Sequence, residues 1–522
     1  MGSPVVTRGL SYVLPDGRPL FTHLNLSFPN GITALVGPNG IGKTTLSHLL
    51  AGTLAPTSGT IHRAAAVSYM AQRLEPPAAT VDEYLIAHDY WDPLHDGDRS
   101  LRDALIADID GCTSCNRLSG GEWMRVRLAL QPAHGFLILD EPTNDLDLEA
   151  RKALARFLIG RRGDTVLISH DRAVLALCAH VLELSNRGVR WYRGGWEAYG
   201  QAREAERAGL ERALERAEQA RKASAAHGRA QRERQEGRAR QGARDAARGG
   251  QAKILLGLKK RKAEATTGRI DAESRARADA AVALAREALE ALKIDPVLYA
   301  RLRGHALPDD KLVAEAVDFN LRHAGAAGWL YPEDLAFTWR GNARIHLRGG
   351  NGSGKSSLLR ALCANPTAGL PPQDHPIAAK PKQRGRLRVG GLTTILLDQT
   401  CSWLDPDDTV CGNMRRLTGL PDQEIRNRLA GFLFSGDTVF QRVSTLSGGE
   451  RLRATLAAGM LGEEAPELLL LDEPTNNLDL PNIRMLETLV ANFNGAVVLV
   501  SHDEAFVEAC GMTTHLDCGT GR

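Results

Sequence analysis

Gly37-Pro-Asn-Gly-Ile-Gly-Lys-Thr44 is a glycine-rich loop of the form G-x-x-x-x-G-K-[ST], and this stretch decides the fold. It follows a short apolar run, Ile32-Thr-Ala-Leu-Val36, and precedes apolar residues at helical spacing from Leu46 to Leu50. Glycine lets the backbone approach a phosphate closely, so that successive N–H groups point at the phosphate oxygens. A strand, this loop and a helix in that order predict a nucleoside-triphosphate site in an α/β domain.

An internal repeat divides the chain into two similar halves. The phosphate loop recurs as Gly349-Gly-Asn-Gly-Ser-Gly-Lys-Ser356, which makes an accidental match negligible. Three further motifs recur in the same order: Leu118-Ser-Gly-Gly-Glu122 as Leu446–Glu450, Leu139-Asp-Glu-Pro-Thr-Asn144 as Leu471–Asn476, and Ser169-His-Asp171 as Ser501–Asp503. The interval from aspartate to histidine is 30 residues in both halves, from 140 to 170 and from 472 to 502. One fold has therefore been used twice.

The pattern predicts an α/β fold with two tandem nucleotide-binding domains joined by a long helical linker. We expect the first domain at 1–200, the linker at 201–295 and the second domain at 296–522. The runs Phe136–Leu139 and Leu468–Leu471 are continuously apolar, as in strands buried on both faces. The linker has no aromatic residue and no proline and is rich in Ala, Arg, Gln and Glu. We interpret it as a hairpin of two long helices with a glycine-rich, basic tip.

The charge of the chain is concentrated in this linker. The net charge of the whole chain is +3, whereas residues 221–270 contain 15 Lys or Arg and 4 Asp or Glu, a local net of +11. Such a stretch without aromatic residues suits contact with a phosphate backbone better than base stacking. The alternative is a linker that is merely charged and solvated.

Composition excludes several classes of protein. No stretch approaches the ~20 consecutive apolar residues of a membrane span, and Met1–Leu10 lacks the pattern of a secretory signal. The eight cysteines are scattered, which is typical of reduced thiols. We therefore expect a cytoplasmic protein without membrane contact. Cys112 and Cys115 form a C-x-x-C pair that is either two loop thiols or part of a metal site.

The repeated motifs predict the chemistry of hydrolysis. Lys43 and Lys355 would reach the β- and γ-phosphates, and the hydroxyls of Thr44 and Ser356 would bind Mg²⁺. Asp140 and Asp472 end buried strands and would also hold the metal. Glu141 and Glu473 follow directly and suit the role of polarising the attacking water. His170 and His502, at equal spacing from these acidic pairs, would contact the γ-phosphate.

Leu-Ser-Gly-Gly-Glu at a helix start adds a second anion-binding surface that generic phosphate-loop proteins lack. With it, both halves resemble the ATP-binding cassette family. The resemblance implies that two cassettes close head to tail within one monomer on two ATP molecules with Mg²⁺. Each nucleotide would lie between the glycine loop of one cassette and the Ser-Gly-Gly of the other.

The resemblance also assigns nucleotide contacts residue by residue. Gln72 and Gln399 match the glutamine loop, which also contacts the metal, and Tyr12 is placed like the adenine-stacking aromatic. The expected nucleotide contacts are Tyr12, Gly37, Asn39, Gly40, Gly42, Lys43, Thr44, Thr45, Gln72, Ser119, Gly120, Gly121, Gly349, Asn351, Gly352, Gly354, Lys355, Ser356, Ser357, Gln399, Ser447, Gly448 and Gly449.

The second half departs from the family pattern at four points. Gly350 replaces the usual proline, Ser357 the usual threonine, and the strand Ile345-His-Leu-Arg348 before the loop is polar. No aromatic residue lies 25 residues before Gly349, as Tyr12 does before Gly37. The catalytic set is intact, so we expect both sites to hydrolyse ATP.

The two fused cassettes with a basic linker resemble the ABC-F subfamily, and Tyr192-Arg-Gly-Gly-Trp-Glu-Ala-Tyr199 is similar to its aromatic-glycine segment. This resemblance implies binding at the ribosomal exit-tRNA site, with the linker directed toward peptidyl-tRNA and rRNA. The role would be that of a translation factor or an antibiotic-protection ATPase. Two alternatives stay open: the motor of a transporter with separate membrane subunits, and a DNA-associated ATPase. The role of a proline-rich insertion at 365–388 is not assigned.

Overall fold

The computed structural model describes most of both halves and the first part of the linker. The described residues are 5–72, 74–90, 99–132, 134–144, 146, 148–185, 188–247, 280, 283, 305–323, 328–363, 382–398, 404–461, 465–476 and 478–519. The chain forms two compact units. The first joins Met1–Tyr199 with Leu298–Arg522, and the second is Gly200–Val297.

The first half contains a small antiparallel sheet and a larger parallel one. Its elements are β1 (Val5–Val13), β2 (Pro19–Ser27), β3 (Ile32–Val36), α1 (Lys43–Ala51), β4 (Ser58–Arg63), β5 (Val67–Met70), α2 (Val81–Ala87), α3 (Arg99–Ile106), α4 (Gly120–Ala129), β6 (Phe136–Asp140), α5 (Leu148–Gly160), β7 (Asp164–Ile168), α6 (Arg172–Leu175), β8 (His180–Ser185) and β9 (Gly188–Arg193). The strand orders are β2-β1-β4 and β5-β6-β7-β3-β8-β9. The neighbouring strands β5, β6, β7, β3 and β8 pair in parallel, and β9 is antiparallel to β8.

The second half repeats this architecture. Its elements are β10 (Leu312–Arg322), β11 (Leu335–Arg340), β12 (Arg344–Arg348), α8 (Lys355–Cys363), β13 (Lys382–Val389), β14 (Thr394–Leu397), α9 (Val410–Thr418), α10 (Asp422–Leu429), α11 (Gly448–Met460), β15 (Leu468–Asp472), α12 (Leu480–Ala491), β16 (Ala496–Val500), α13 (Glu504–Ala509) and β17 (Thr514–Asp517). The parallel sheet has the order β14-β15-β16-β12-β17, which matches β5-β6-β7-β3-β8 strand for strand. The predicted duplication of an α/β fold is confirmed.

The parallel strands form the centre of the core. In the second half, one face of the sheet packs against α8 and the strands β10 and β11, and the other face packs against α9–α13. Every residue of β6 and of β15 is buried, as the continuous apolar runs predict. Each leucine of β15 that folding removes from water contributes about 1.5–3 kcal/mol. Parallel strands present their carboxyl ends at one edge, and ligands of such sheets bind there. The phosphate loops follow β3 and β12 at this edge.

The linker begins in a long helix, α7 (Gly195–Ala247), of 53 residues. The helix continues through Gly237 and Gly242. The strong helix formers Ala, Arg, Gln and Glu around these two glycines offset their unfavourable propensity. The rest of the tip and nearly all of the predicted second helix lie outside the described residues. Among the helices that the structure describes, none has the length and apolar character needed to cross a membrane.

Candidate nucleotide sites

The phosphate loop of the first half lies between the end of β3 and the start of α1. Gly37 and Gly42 have φ angles of +152° and +103°, which side-chain-bearing residues rarely adopt. A Cβ on Gly37 would overlap the Leu184 carbonyl, and one on Gly42 would meet the Phe21 ring. The loop therefore needs glycine for its own path as well as for close approach to phosphate.

Both loop lysines fold back over their loops. The Lys43 ammonium donates to the carbonyls of Gly37 (2.7 Å) and Pro38 (3.2 Å). Lys355 donates to the carbonyls of Gly349 and Gly350, both at 2.7 Å. Burial lowers the pKa of Lys43, and the nearby carboxylates of Glu141, Asp479 and Asp140 oppose this shift. Each lysine thus places a cation where the predicted phosphates would bind.

Glu141 and Glu473 have the same unusual backbone conformation. Their φ angles are +48° and +46°, in the left-handed region that glutamate seldom occupies. Each residue follows its strand and donates its N–H to the next strand, to Ile168 O (2.8 Å) and Val500 O (2.9 Å) respectively. Strained residues of this kind cluster at functional sites, where the surroundings hold them in place.

The structure brings each of these glutamates together with its predicted histidine. His170 Nε2 lies 3.1 Å from Glu141 Oε1, and His502 Nε2 lies 3.4 Å from Glu473 Oε1. The backbone N–H of His502 also donates to Glu473 Oε2 at 3.4 Å. The equal sequence spacing of the two pairs is thus matched by similar geometry. The catalytic roles of the four residues remain predictions.

Burial shifts the pKa values of the groups in these pairs. It raises the pKa of Glu141 to about 7, against the opposing effect of Lys43. It also raises the pKa of Glu473 to about 7, and Arg151 of the first half and Lys355 oppose the rise. Burial and Lys43 hold the pKa of His170 well below its usual value. A carboxyl group with a pKa near neutrality beside a neutral imidazole suits transfer of a proton from water.

A cavity of about 340 Å³ lies at the first phosphate loop. Its lining is Asn39, Gly40, Gly42, Lys43, Thr44, Thr45, Gln72, Asp140, Glu141, Asn144, Ile168 and His170. All but Asn144 and Ile168 are predicted nucleotide, metal or catalytic residues. Asn144 could have been found from sequence, because it ends the repeated Leu-Asp-Glu-Pro-Thr-Asn motif. The structure therefore brings ten of the predicted first-half residues into one space.

The donor set also fits Mg²⁺, which prefers hydroxyl and carboxylate oxygens. Asp140 is buried, and the Tyr69 hydroxyl donates to its Oδ2 at 3.2 Å. In the second half, a hydrogen bond joins the Ser356 and Asp472 side chains. Asp472 Oδ1 is buried and accepts no hydrogen bond from the residues that the structure describes. A buried carboxylate oxygen beside a hydroxyl is a suitable ligand pair for the metal.

The signature serines begin helices. Ser119 caps α4 and Ser447 caps α11, each accepting the N–H of the glutamate three residues on, at 3.2 and 3.4 Å. Gly120, Gly121, Gly448 and Gly449 form the first turns of these helices. None of the signature residues is among the described lining of the cavity. The composite arrangement, with Ser447 and Gly449 completing site one and Ser119 and Gly121 completing site two, therefore stays a prediction.

The remaining predicted nucleotide contacts differ in where the structure places them. Tyr12 lies on β1, opposite Phe21, and packs against the first-half core rather than lining the cavity. Gly349, Asn351, Gly352 and Gly354 repeat the first loop, with the positive φ angles at the glycines. The Ser357 hydroxyl lies 3.2 Å from His323 Nε2. Gln399 is outside the described residues.

The two halves contact each other beside the first loop. The N–H of Asn39 donates to Asp479 Oδ2 at 3.1 Å, and Asp479 also caps α12. Arg172, two residues after His170, forms an ion pair with Glu487 of α12 at 2.6 Å. The N-cap of α12 therefore contacts the phosphate loop of the first half, and the helix itself contacts the histidine segment.

Comparison with known proteins agrees with this geometry. The model of the ABC transporter family matches residues 21–144 and 332–476. ATP-binding protein Uup of Caulobacter vibrioides is 30% identical over 96% of this chain and 75% of its own length. The tylosin resistance ATP-binding protein TlrC of Streptomyces fradiae is 30% identical over 94% of this chain and 92% of its own. Ribosome protection protein VmlR of Bacillus subtilis is 27% identical over 97% and 85%.

The chain belongs to the ATP-binding cassette family and, within that family, to the ABC-F group. It is an ATPase. A solved structure of an archaeal ribosome recycling factor, aABCE1, in complex with a ribosomal stalk protein superposes with a TM-score of 0.55. It is 16% identical over 96% of this chain and 86% of that one, a likeness that concerns the fold alone.

Proposed function

We propose that this ATPase acts on the ribosome, as a translation factor or as an antibiotic ribosome-protection protein. The observation that carries the proposal is the match to a ribosome protection protein over 97% of this chain. So few residues lie outside that match that it extends through the linker as well as both cassettes. The tylosin resistance protein supports the same assignment, because it too matches along nearly its whole length.

The basic segment 221–270 is the proposed contact with rRNA and tRNA. Its net charge of +11 provides the sequence-independent attraction that phosphate backbones give to Lys and Arg. Arginine also presents forked donors that match phosphate oxygens. In the described part of this segment, Lys222, Arg234 and Arg240 on α7 are exposed. They are therefore accessible to such a partner.

ATP would supply the switch between bound and released states. In site one, Lys43 would hold the phosphates, Thr44 and Asp140 the Mg²⁺, and Glu141 with His170 the attacking water. Lys355, Ser356, Asp472, Glu473 and His502 would do the same in site two. Mg²⁺ supplies charge neutralisation on the transferring phosphoryl group. The Glu-His pairs orient the water and accept its proton.

The test traps the ATP-bound state. Glu141→Gln and Glu473→Gln are combined, ATP is added, and the protein is sedimented with ribosomes through a salt-containing cushion. We expect ATP-dependent co-sedimentation. Recovery in the supernatant, with ATP still bound, would overturn the proposal, and recovery with membranes or DNA would favour the transporter or the DNA-associated alternative.

The linker contact has its own matched control. In the trapped protein, Lys222→Glu, Arg234→Glu and Arg240→Glu together should lower the salt concentration at which ribosomes are released. Loss of one Lys or Arg contact with a phosphate reduces the slope of the logarithm of the binding constant against the logarithm of the salt concentration by about 0.7–0.9. Glu233→Gln, also exposed on α7, removes a negative charge and should not weaken binding. An unchanged salt dependence in the triple variant would exclude this surface.

A further inference from the structure

A polar cluster lies beside the histidine segment of the second half, at positions that are apolar in the first half. It consists of His346 and Arg348 of β12 and His515 of β17, the strand paired with it. The first glycines of the two phosphate loops, Gly37 and Gly349, are 312 residues apart. At the same interval, His346 corresponds to Ala34 and Arg348 to Val36. On β8, the counterpart of β17, the strand partner of Ala34 is Val181. Three apolar residues of the first half are thus replaced by charged or titratable ones.

His346 makes a specific contact from this cluster. Its side chain is buried, with 6% of the residue exposed, and its Nε2 lies 3.0 Å from the Ser501 carbonyl. A carbonyl oxygen only accepts, so Nε2 must bear the proton. The Arg348 Nε–H donates to Nδ1 at 3.4 Å, which favours the same tautomer. Burial lowers the pKa of His346 and favours this neutral form.

Ser501 belongs to the segment that positions the glutamate of site two. The residue before it, Val500, accepts the Glu473 N–H at 2.9 Å. The residue after it, His502, donates its own N–H to the Glu473 carboxylate at 3.4 Å. The Ser501 carbonyl lies between these two contacts along the backbone. In the first half the corresponding serine is Ser169, and Ala34 has no donor to offer it.

We propose that His346 is a positioning residue of the second ATP site, which fixes the Ser501 carbonyl and thereby the His502–Glu473 pair through a hydrogen bond that the first site lacks. This inference rests on the proposed roles of Glu473 and His502. A misplacement of catalytic groups by about 1 Å can cost up to about 10²-fold in rate. The polar strand β12 would then contribute to ATP hydrolysis at site two, because it carries His346.

The test compares two variants of similar size in the Glu141→Gln background, where only site two hydrolyses ATP. His346→Gln retains an N–H donor near the position of Nε2, whereas His346→Leu retains the volume without a donor. We expect His346→Leu to lower kcat roughly three- to tenfold with KM within about twofold, and His346→Gln to restore most of the loss. His305→Leu is the matched control, because His305 is an exposed histidine of the same half that lies outside this cluster; its turnover should be unchanged.

A second readout needs no nucleotide. Hydrogen exchange of the backbone amides of His502 and Asp503 should be faster in His346→Leu and near native in His346→Gln. Equal kcat and equal exchange in the two variants would overturn the proposal. Failure of the proposed catalytic roles is a separate result: turnover that survives in Glu141→Gln/Glu473→Gln would refute those roles, while the exchange measurement would still decide whether His346 holds the segment.

Discussion

At the scale of single residues, backbone strain and chemistry coincide at Glu141 and Glu473. Both are held at positive φ by hydrogen bonds to the adjacent strand, and both contact a histidine. Sequence predicted the pairs from their spacing, because equal intervals in a repeat imply equal positions in the fold. The positive φ angles could not be predicted, since glutamate seldom adopts them and only the surrounding contacts impose them.

Replacement of these glutamates by glutamine should separate the two sites. Combined, Glu141→Gln and Glu473→Gln should lower turnover by at least about 10²-fold, the lower end of the contribution of a general base. Each single variant should retain the turnover of the other site. Steady-state phosphate release measures both effects, and undiminished turnover in Glu473→Gln alone would mean that the second site is silent.

The same substitutions should stabilise the protein in alkaline solution. Burial raises the pKa of both carboxyls from 4.5 to about 7. The folded state therefore binds these protons more tightly than the unfolded state, and stability is lost as pH rises from 4.5 through 7. Glutamine has no charge to bury. Without nucleotide, the double variant should melt above the native protein at pH 8, with a difference that shrinks toward pH 5; a difference independent of pH would contradict this assignment.

At the scale of elements, the start of α7 is fixed by a buried carboxylate. Glu183 of β8 accepts hydrogen bonds from the hydroxyls of Tyr192 (2.9 Å) and Tyr199 (3.1 Å). The two tyrosine rings also meet edge to face at 4.9 Å. These tyrosines are the ends of the aromatic-glycine segment noted in the sequence. Its role in this structure is to attach the first turn of α7 to the strand β8, which pairs with β3 before the phosphate loop.

Removal of both hydroxyls should loosen this attachment. Tyr192→Phe/Tyr199→Phe deprives a buried carboxylate of two donors, a change that costs on the order of 1–3 kcal/mol for each unsatisfied group. We expect a lower melting temperature and faster amide exchange at residues 195–199. Glu183→Gln in the same background removes the buried charge and should recover part of the loss. An unchanged melting temperature in Tyr192→Phe/Tyr199→Phe would show that the rings, and not the hydroxyls, hold the helix.

The elements that sequence predicted are those whose patterns are local. The phosphate loops, the buried strands β6 and β15 and the helix starts at Ser119 and Ser447 follow from apolar runs, glycines and capping residues. Contacts between distant segments, such as His346 with Ser501, depend on strand pairing that one sequence does not encode locally. Single glycines such as Gly237 weaken a helix without ending it, so the sequence pattern does not show where α7 ends.

At the scale of the whole molecule, the contact between the halves is not symmetric. The aspartates 140 and 472 are 332 residues apart, so the counterparts of Arg172 and Glu487 are Glu504 and Ala155. That mirrored pair cannot form an ion bridge. The Arg172–Glu487 pair, with side chains 20% and 13% exposed, therefore holds the histidine segment of site one without an equivalent at site two.

A double-mutant cycle should detect this pair. Arg172→Gln and Glu487→Gln should each destabilise the protein, and the double variant should cost less than their sum, with a coupling of about 0.5–3 kcal/mol. Chemical unfolding followed in all four proteins gives the coupling; additive losses would mean that the bridge contributes nothing in solution.

The discontinuous compact unit has a consequence for how the protein is made. Glu487 is translated 315 residues after Arg172 (487 − 172), about 16–63 s later at roughly 5–20 residues per second. During that time a nascent first cassette presents its docking face without a partner. Arg172 and the backbone of Asn39 are polar groups that water can solvate meanwhile. Because water can solvate these groups, the first cassette can stay soluble during synthesis until the second cassette has been translated.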